Sequence, residues 1–310
     1  MKPHTMQVIT AWCSLLTFIL IVPSPLLSAL HREQVTTQNL LTRWYELGER
    51  VSYRITATTK DRTGTSSYAA TARSIVKRDQ MERLFEEFEW PDLVWNGIPI
   101  QISPTDAQAR PILSLSADRR PAMPDLSKVA PRLIAPTVDL LSFYADAWVA
   151  MQQPTLRFAG NRAIVFNRGE TTSWADGTRV ILGEDASEIE ITLDDVNLNE
   201  GTATLTLLHA PPARPPIRIP AEWMQTRVTD LPNNWIQVVR VGPRQLVASV
   251  GKETREVTMR MSLTNGKIYS ARMENQVDVF ERECTDEALT TCGEAVRYQI
   301  SRQIAIAEGP

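Results

Sequence analysis

The residues able to do chemistry are few and scattered. The chain contains three histidines, His4, His31 and His209. His4 lies at the start of an apolar N-terminal segment, and His31 directly follows that segment. His209 closes an apolar run just before Pro211. Three isolated imidazoles give no His-rich metal set and no obvious histidine base. Carboxylates are richer. Glu184, Asp185, Glu188 and Glu190 form an acidic run with Asp194 and Asp195. Paired carboxylates at such spacing are the raw material of acid–base hydrolysis or metal binding. They are equally the solvated face of a strand, because Glu188 and Glu190 alternate with Ile189 and Ile191. The solvated face is the reading adopted.

Other signatures fail on spacing. Asp195-x-Asn197-x-Asn199-Glu200-Gly201 is close to a calcium loop. A calcium loop needs Gly at its sixth position and Glu at its twelfth. Here Gly201 is seventh and Thr206 is twelfth, so a β-turn is expected. No G-x-S-x-G elbow occurs: Ser116 and Ser249 sit inside apolar alternations, not at strand-to-helix turns. Gly160, Gly169, Gly177 and Gly183 are isolated, so no phosphate-cradling loop is formed. No cofactor or metal is expected from these patterns.

The cysteines carry a clearer message. Cys13 falls in the apolar N-terminal run, which leaves Cys284 and Cys292 downstream. A C-x7-C spacing is neither a metal knuckle nor a two-residue redox motif, so a structural disulfide is expected. Closing so short a loop is worth about 2.5 kcal/mol in the chain-entropy model.

Residues 1–29 read as an export leader: one Lys, an apolar run from Val8 to Val22, then a cleavage context ending at Ala29. The run is shorter than the ~20 residues of a membrane-spanning helix. An uncleaved leader would leave the same domain tethered outside the cytoplasm, and only there would membrane contact arise. No other segment reads as a membrane span. An extracytoplasmic location, periplasmic or secreted, is therefore expected. Beyond the leader, 32 basic residues face 36 acidic ones, a mild balance that argues against a nucleic-acid partner.

Residues 30–310 read as a single β-rich domain, with a possible sub-boundary in the proline-rich stretch 119–136. A short helix is expected at Gln38–Leu47, from Leu40, Leu41 and Trp44. Period-two alternation then dominates. Val51, Tyr53, Ile55 and Ala57 alternate with polar residues. So do Val257, Met259, Met261 and Leu263, just before an Asn265-Gly266 hairpin turn. Strands are also expected at 66–76, 81–90 (with a helix as rival), 95–102, 111–117, 177–182, 187–196, 202–208, 235–241, 245–250, 267–280 and 295–305. A hairpin is expected around 159–162. The main helix is expected at Val138–Gln152, capped by Thr137. Proline clusters at 121–136 and 211–220 read as irregular crossovers.

The architecture expected is mainly β: a large curved antiparallel sheet, open half-barrel or sandwich, with one main helix. The succession of leader, long antiparallel strands and covering helix is similar in outline to the half-barrel lipid and lipoprotein carriers of bacterial envelopes. That likeness implies a curled sheet around an apolar interior, and fold alone does not set function. Tyr144, Trp148, Met151, Trp174, Trp235, Met259 and Met261 are the candidate pocket residues, set against a plain core role. Three functions remain open. The first is an exported non-catalytic binder of an apolar ligand or an envelope protein. The second is a carboxylate-dependent hydrolase, and the third is a structural surface module.

Overall fold

A computed structural model describes residues 40–103, 106, 110–115, 124–169 and 180–309. The leader lies outside these residues.

Among the described residues, twelve antiparallel strands form one sheet, and a single long helix packs on it. The strands are β1 (Arg50–Asp61), β2 (Gly64–Arg78), β3 (Leu84–Trp95), β4 (Ile98–Pro99), β5 (Ile112–Ser114), β6 (Arg162–Gly169), β7 (Val180–Asn197), β8 (Thr202–Ala210), β9 (Trp235–Gly242), β10 (Gln245–Ser262), β11 (Ile268–Cys284) and β12 (Val296–Glu308). The helix is α1 (Pro131–Met151). The strand order β4-β3-β2-β1-β12-β11-β10-β8-β7-β6 leaves the sheet open, ending on β4 and β6. The slot between β7 and β10 is shared by two strands. β8 pairs with one half of each, and β9 pairs with the other half. At the joint, the Asn234 amide donates to Ala186 O at 2.8 Å and accepts from Glu253 N at 2.7 Å.

Strand parity sorts the core. On β10, Val257, Met259 and Met261 face α1 in the main cluster. Further along the same strand, Leu246, Ala248 and Val250 point to the opposite face. There the strap of residues 217–228, with Met224 at its centre, covers them together with Ile236, Val238 and Phe280. The sheet is thus covered on its inner face at one end and on its outer face at the other. Each fully buried Leu or Ile contributes roughly 1.5–3 kcal/mol of transfer free energy.

Several expected elements differ. Leu40–Leu47 is turn and coil rather than helix. Trp44 N donates to Asn265 O at 2.9 Å, so this segment is fixed by the β10–β11 hairpin and not by its own periodicity. Gly266 makes that approach possible, since a Cβ there would lie 2.6 Å from Arg43 Cα. The helix begins at Pro131 and not at Val138. Pro131 suits the first helical position, where its missing N–H is not needed. Pro136 lies inside the helix, and Thr137 is buried in its second turn rather than capping it. By length and composition α1 could cross a membrane; two thirds of its most apolar 18-residue window is buried in the protein. The expected strands 177–182 and 187–196 merge, where described, into β7, because β9 and β8 together supply partners along it. The strand expected at 95–102 shrinks to β4, and the one at 111–117 is, where described, β5. Leu156–Phe158 forms no strand: Asn161 Oδ1 accepts from Arg157 N and Phe158 N, closing a turn, and β6 pairs with β7 instead. Cys284 and Cys292 form a disulfide that closes the loop between β11 and β12.

Candidate functional site: a cavity above a buried polar row

In an antiparallel sheet, residues directly opposite each other share a face. The register therefore draws one polar row across six strands. His209 (β8) faces Arg255 (β10), which faces Asn275 (β11). Asn275 faces Arg302 (β12), Arg302 faces Thr59 (β1), and Thr59 faces Ser66 (β2). On one side of this row lies the apolar core under α1. On the other lies a cavity of about 490 Å³.

Helix α1 docks on the row through two carboxylates seven residues apart. Asp139 Oδ2 lies 2.7 Å from Arg302 Nη2 and also accepts from the Tyr68 hydroxyl. Asp139 is 2% exposed and Arg302 8%. Burial pushes the Asp139 carboxyl above its ordinary value, and Arg302 opposes that push. Asp146 Oδ1 lies 3.0 Å from Arg255 Nη2 and 3.2 Å from His209 Nε2. Burial, with Arg255 alongside, lowers the His209 pKa, which favours neutral imidazole. Glu253 follows on the same face and accepts from Asn275 Nδ2 at 2.7 Å. A further buried carboxylate, Glu86, accepts from Ser74 Oγ at 2.5 Å and Tyr144 Oη at 3.1 Å.

Glu253 carries a testable pH dependence. Burial raises its pKa from 4.5 to about 7, against the Asn275 hydrogen bond and the Arg255 charge. A carboxyl whose folded pKa is raised stabilises the fold fully below its unfolded value. That contribution is lost as pH rises through the folded value. Between pH 5 and 8 the wild type is expected to lose on the order of 2 kcal/mol from this group. Glu253→Gln keeps the acceptor and removes the titration. Urea titrations at the two pH values check this: the stability gap between variant and wild type must grow in the variant's favour at pH 8.

The cavity is built from strand ends of both flanks. Trp235, Val239, Val241, Val247 and Ile300 form much of its apolar wall. Tyr68 and Trp95 stack with ring centroids 5.6 Å apart at its other side. Ala135 of α1 and Arg302 are also among its lining residues. Glu281 Oε1 lies 2.9 Å from Arg62 Nη1. Glu281 Oε2 accepts from Tyr298 Oη at 2.6 Å and Ser249 Oγ at 3.1 Å.

Of the residues singled out from sequence, Trp235 lines this cavity. Tyr144, Met259 and Met261 are buried in the main core, and Met151 packs against its edge. Trp148 is half-buried on α1. Trp174 lies outside the described residues. The acidic run does not converge. Glu184 accepts from Arg218 N at 2.7 Å, and Glu190 pairs with Arg162 at 2.9 Å. Glu188 is exposed on the outer face, and Asp185, half-buried and opposite Trp235 in register, projects to the inner face that Trp235 lines. The Asn197 turn is closed by its own side chain, which accepts from Asn199 N and Glu200 N. Among the described residues no group of three His, Cys, Asp or Glu is placed to hold a metal.

Arg302, Arg255, Glu253 and Glu86 escaped the sequence reading. Arg302 between Ile300 and Ile304, and Glu86 between Leu84 and Phe88, are single charges in apolar parity rows, whereas Glu253 and Arg255 adjoin each other on one face of β10. That pattern was the available signal. The chain matches no protein-family model and no curated protein.

Proposed function

We propose that this protein is an exported, non-catalytic binder of an apolar or amphiphilic small molecule, held in the cavity beside the polar row. The observation that carries this reading is the cavity itself: about 490 Å³, mostly apolar, with a few placed polar groups. Ligand sites have that size and composition. The division of the sheet supports it, since α1 fills one end of the inner face and the strap covers the outer face of the other. The scattered acidic run favours binding over carboxylate-dependent hydrolysis. The disulfide suits an oxidising, extracytoplasmic compartment.

Native mass spectrometry of protein purified from its own envelope tests the reading, and a clean apo mass opposes it. A blocking substitution gives the second arm. Val247→Trp and Val241→Trp each place an indole in the cavity. Both are expected to lower affinity for the neutral dye N-phenyl-1-naphthylamine by about ten-fold or more, with an unchanged far-ultraviolet spectrum. Unaltered dye binding in both variants refutes the site.

A protein partner is the second reading, and it draws on β6. This strand ends the sheet and exposes Ile164 and Phe166. Unpaired edges with exposed apolar side chains are pairing sites.

A further inference from the structure

We infer that one end of the sheet, where Trp44, Leu47, Met81 and Leu198 stand exposed at its turns, rests on a lipid membrane by apolar insertion.

The antiparallel pairing brings these residues to a common end. There β1, β3, β8 and β11 begin, and β2, β7, β10 and β12 finish. Backbone hydrogen bonds join the turns laterally. Leu263 N donates to Gly201 O at 2.8 Å, Trp44 N to Asn265 O at 2.9 Å, and Gly48 N to Val76 O at 2.9 Å. Leu198 is 78% exposed, Met81 72%, Leu47 60% and Trp44 48%.

Two of these side chains do nothing for the turns that carry them. Asn197 Oδ1 closes the β7–β8 turn by accepting from Asn199 N and Glu200 N at 3.1 Å. Asp79 Oδ1 closes the β2–β3 turn by accepting from Met81 N at 2.8 Å and Arg83 N at 2.9 Å. Polar residues are the ordinary choice at such tips. The other end of the sheet follows that rule, with Arg62-Thr63, Asn96-Gly97 and Pro243-Arg244 at its tips. Its exposed Ile98, Val241 and Val296 lie on strands.

Two observations point to lipid as the occupant. The first is the path of the chain. The described residues start at this end, where Arg43 lies against Gly266. In the sequence, residues 23–39 separate them from the apolar run Val8–Val22. That connection spans at most about 60 Å, so this end of the sheet is the one tethered while the run is in a membrane. The second is charge. Arg78 pairs with Glu82, Arg83 with Asp79 and Arg260 with Glu200, each at 2.7 Å, and Lys267 with Glu308 at 2.6 Å. Charges paired in place give no strong field of one sign, so insertion between head groups rests on the apolar side chains. Trp, Leu and Met are suited to that boundary, and binding there scales with the apolar area buried.

The experiment uses the full chain carrying Cys13→Ser, with vesicles of dioleoylphosphatidylcholine. An NBD fluorophore is attached at Leu198→Cys, at Met81→Cys or, as the control, at Ile98→Cys, which is 65% exposed at the opposite end. Both labels at the proposed surface are expected to gain about three-fold in fluorescence and to be quenched by acyl-chain nitroxide lipid. The Ile98→Cys label is expected to stay unchanged. Leu47→Asp with Trp44→Asp is expected to raise the lipid concentration for half response at Leu198→Cys about ten-fold or more. About 0.5 M salt is expected to leave the response intact. No gain at Leu198→Cys and Met81→Cys, or an equal gain at Ile98→Cys, overturns the inference. A gain that needs phosphatidylglycerol and disappears in salt overturns apolar insertion as its cause. Labels at Leu198→Cys and Met81→Cys already shielded in the absence of vesicles reveal a protein occupant and overturn the lipid assignment.

Discussion

Asp139→Ala is expected to cost the fold about 3–5 kcal/mol, the scale for breaking one partner out of a buried ion pair. Asp139 is the point where α1 meets the sheet, with Arg302 and Tyr68 both donating to one oxygen. Truncation leaves a guanidinium 8% exposed without its carboxylate and the buried Tyr68 hydroxyl without its acceptor. Against the 5–15 kcal/mol that domains typically possess, this is a large fraction. The loss comes from the orphaned partner and not from the pair as such. Replacing both charges, as Asp139→Leu with Arg302→Met, is therefore expected to recover most of it. Urea unfolding of the two single variants and the double variant gives the coupling energy. A coupling below about 0.5 kcal/mol removes the pair from the account of how α1 is held.

The second large effect is expected at Gly251. This residue sits on β10 opposite Val279 of β11 and Trp235 of β9. A Cβ placed on it would lie 2.1 Å from the backbone oxygen of Asp278. Backbone cannot rotate aside as a side chain does, so β10 and β11 must separate where β9 also joins. Gly251→Ala is expected to lose about 3 kcal/mol, at the upper end of overpacking costs. The cavity wall is built on the same three strands, so dye affinity is expected to fall with it. Gly293→Ala is the control. Its Cβ would meet Glu283 O at an ordinary 3.7 Å, and its stability is expected within about 0.5 kcal/mol of wild type. Thermal melts of both variants decide the matter: similar melting temperatures would mean that the close approach carries no weight.

The pH behaviour of Glu253 and the docking of α1 share one origin. The polar row sits between an apolar core and a cavity, so its charges are partly or wholly desolvated. Such groups are satisfied by one another or shift their protonation. Asp139 and Asp146 answer Arg302 and Arg255, and Asn275 answers Glu253. The row separates the packed interior from the cavity, and Arg302 and Arg255 in it are paired with helix carboxylates.

Much of the architecture was legible from local pattern. Alternation in Val51–Ala57 and Val257–Leu263 follows from the two-residue period of a strand with one buried face. Asn265-Gly266 marks a hairpin because Gly266 adopts φ +67°, which Gly adopts without strain. The C-x7-C spacing in a chain read as exported pointed to the bond between Cys284 and Cys292. Helix α1 was recognised from its stripe, but its start was misplaced, because burial tolerates a proline that propensity rejects.

Other features depended on contacts between distant residues. Leu40–Leu47 has helical periodicity, yet its backbone answers Asn265 on a hairpin more than 200 positions away. Whether Met259 lines a ligand site or a core depends on where α1 lies across the sheet. Only the register of β8, β10, β11, β12, β1 and β2 aligns His209, Arg255, Asn275, Arg302, Thr59 and Ser66. The sequence by itself determined which residues alternate, turn and bridge, because those are near-neighbour properties of the backbone. The tertiary structure decided which charges meet and where the cavity opens, because these follow from how strands far apart in the chain are aligned and covered.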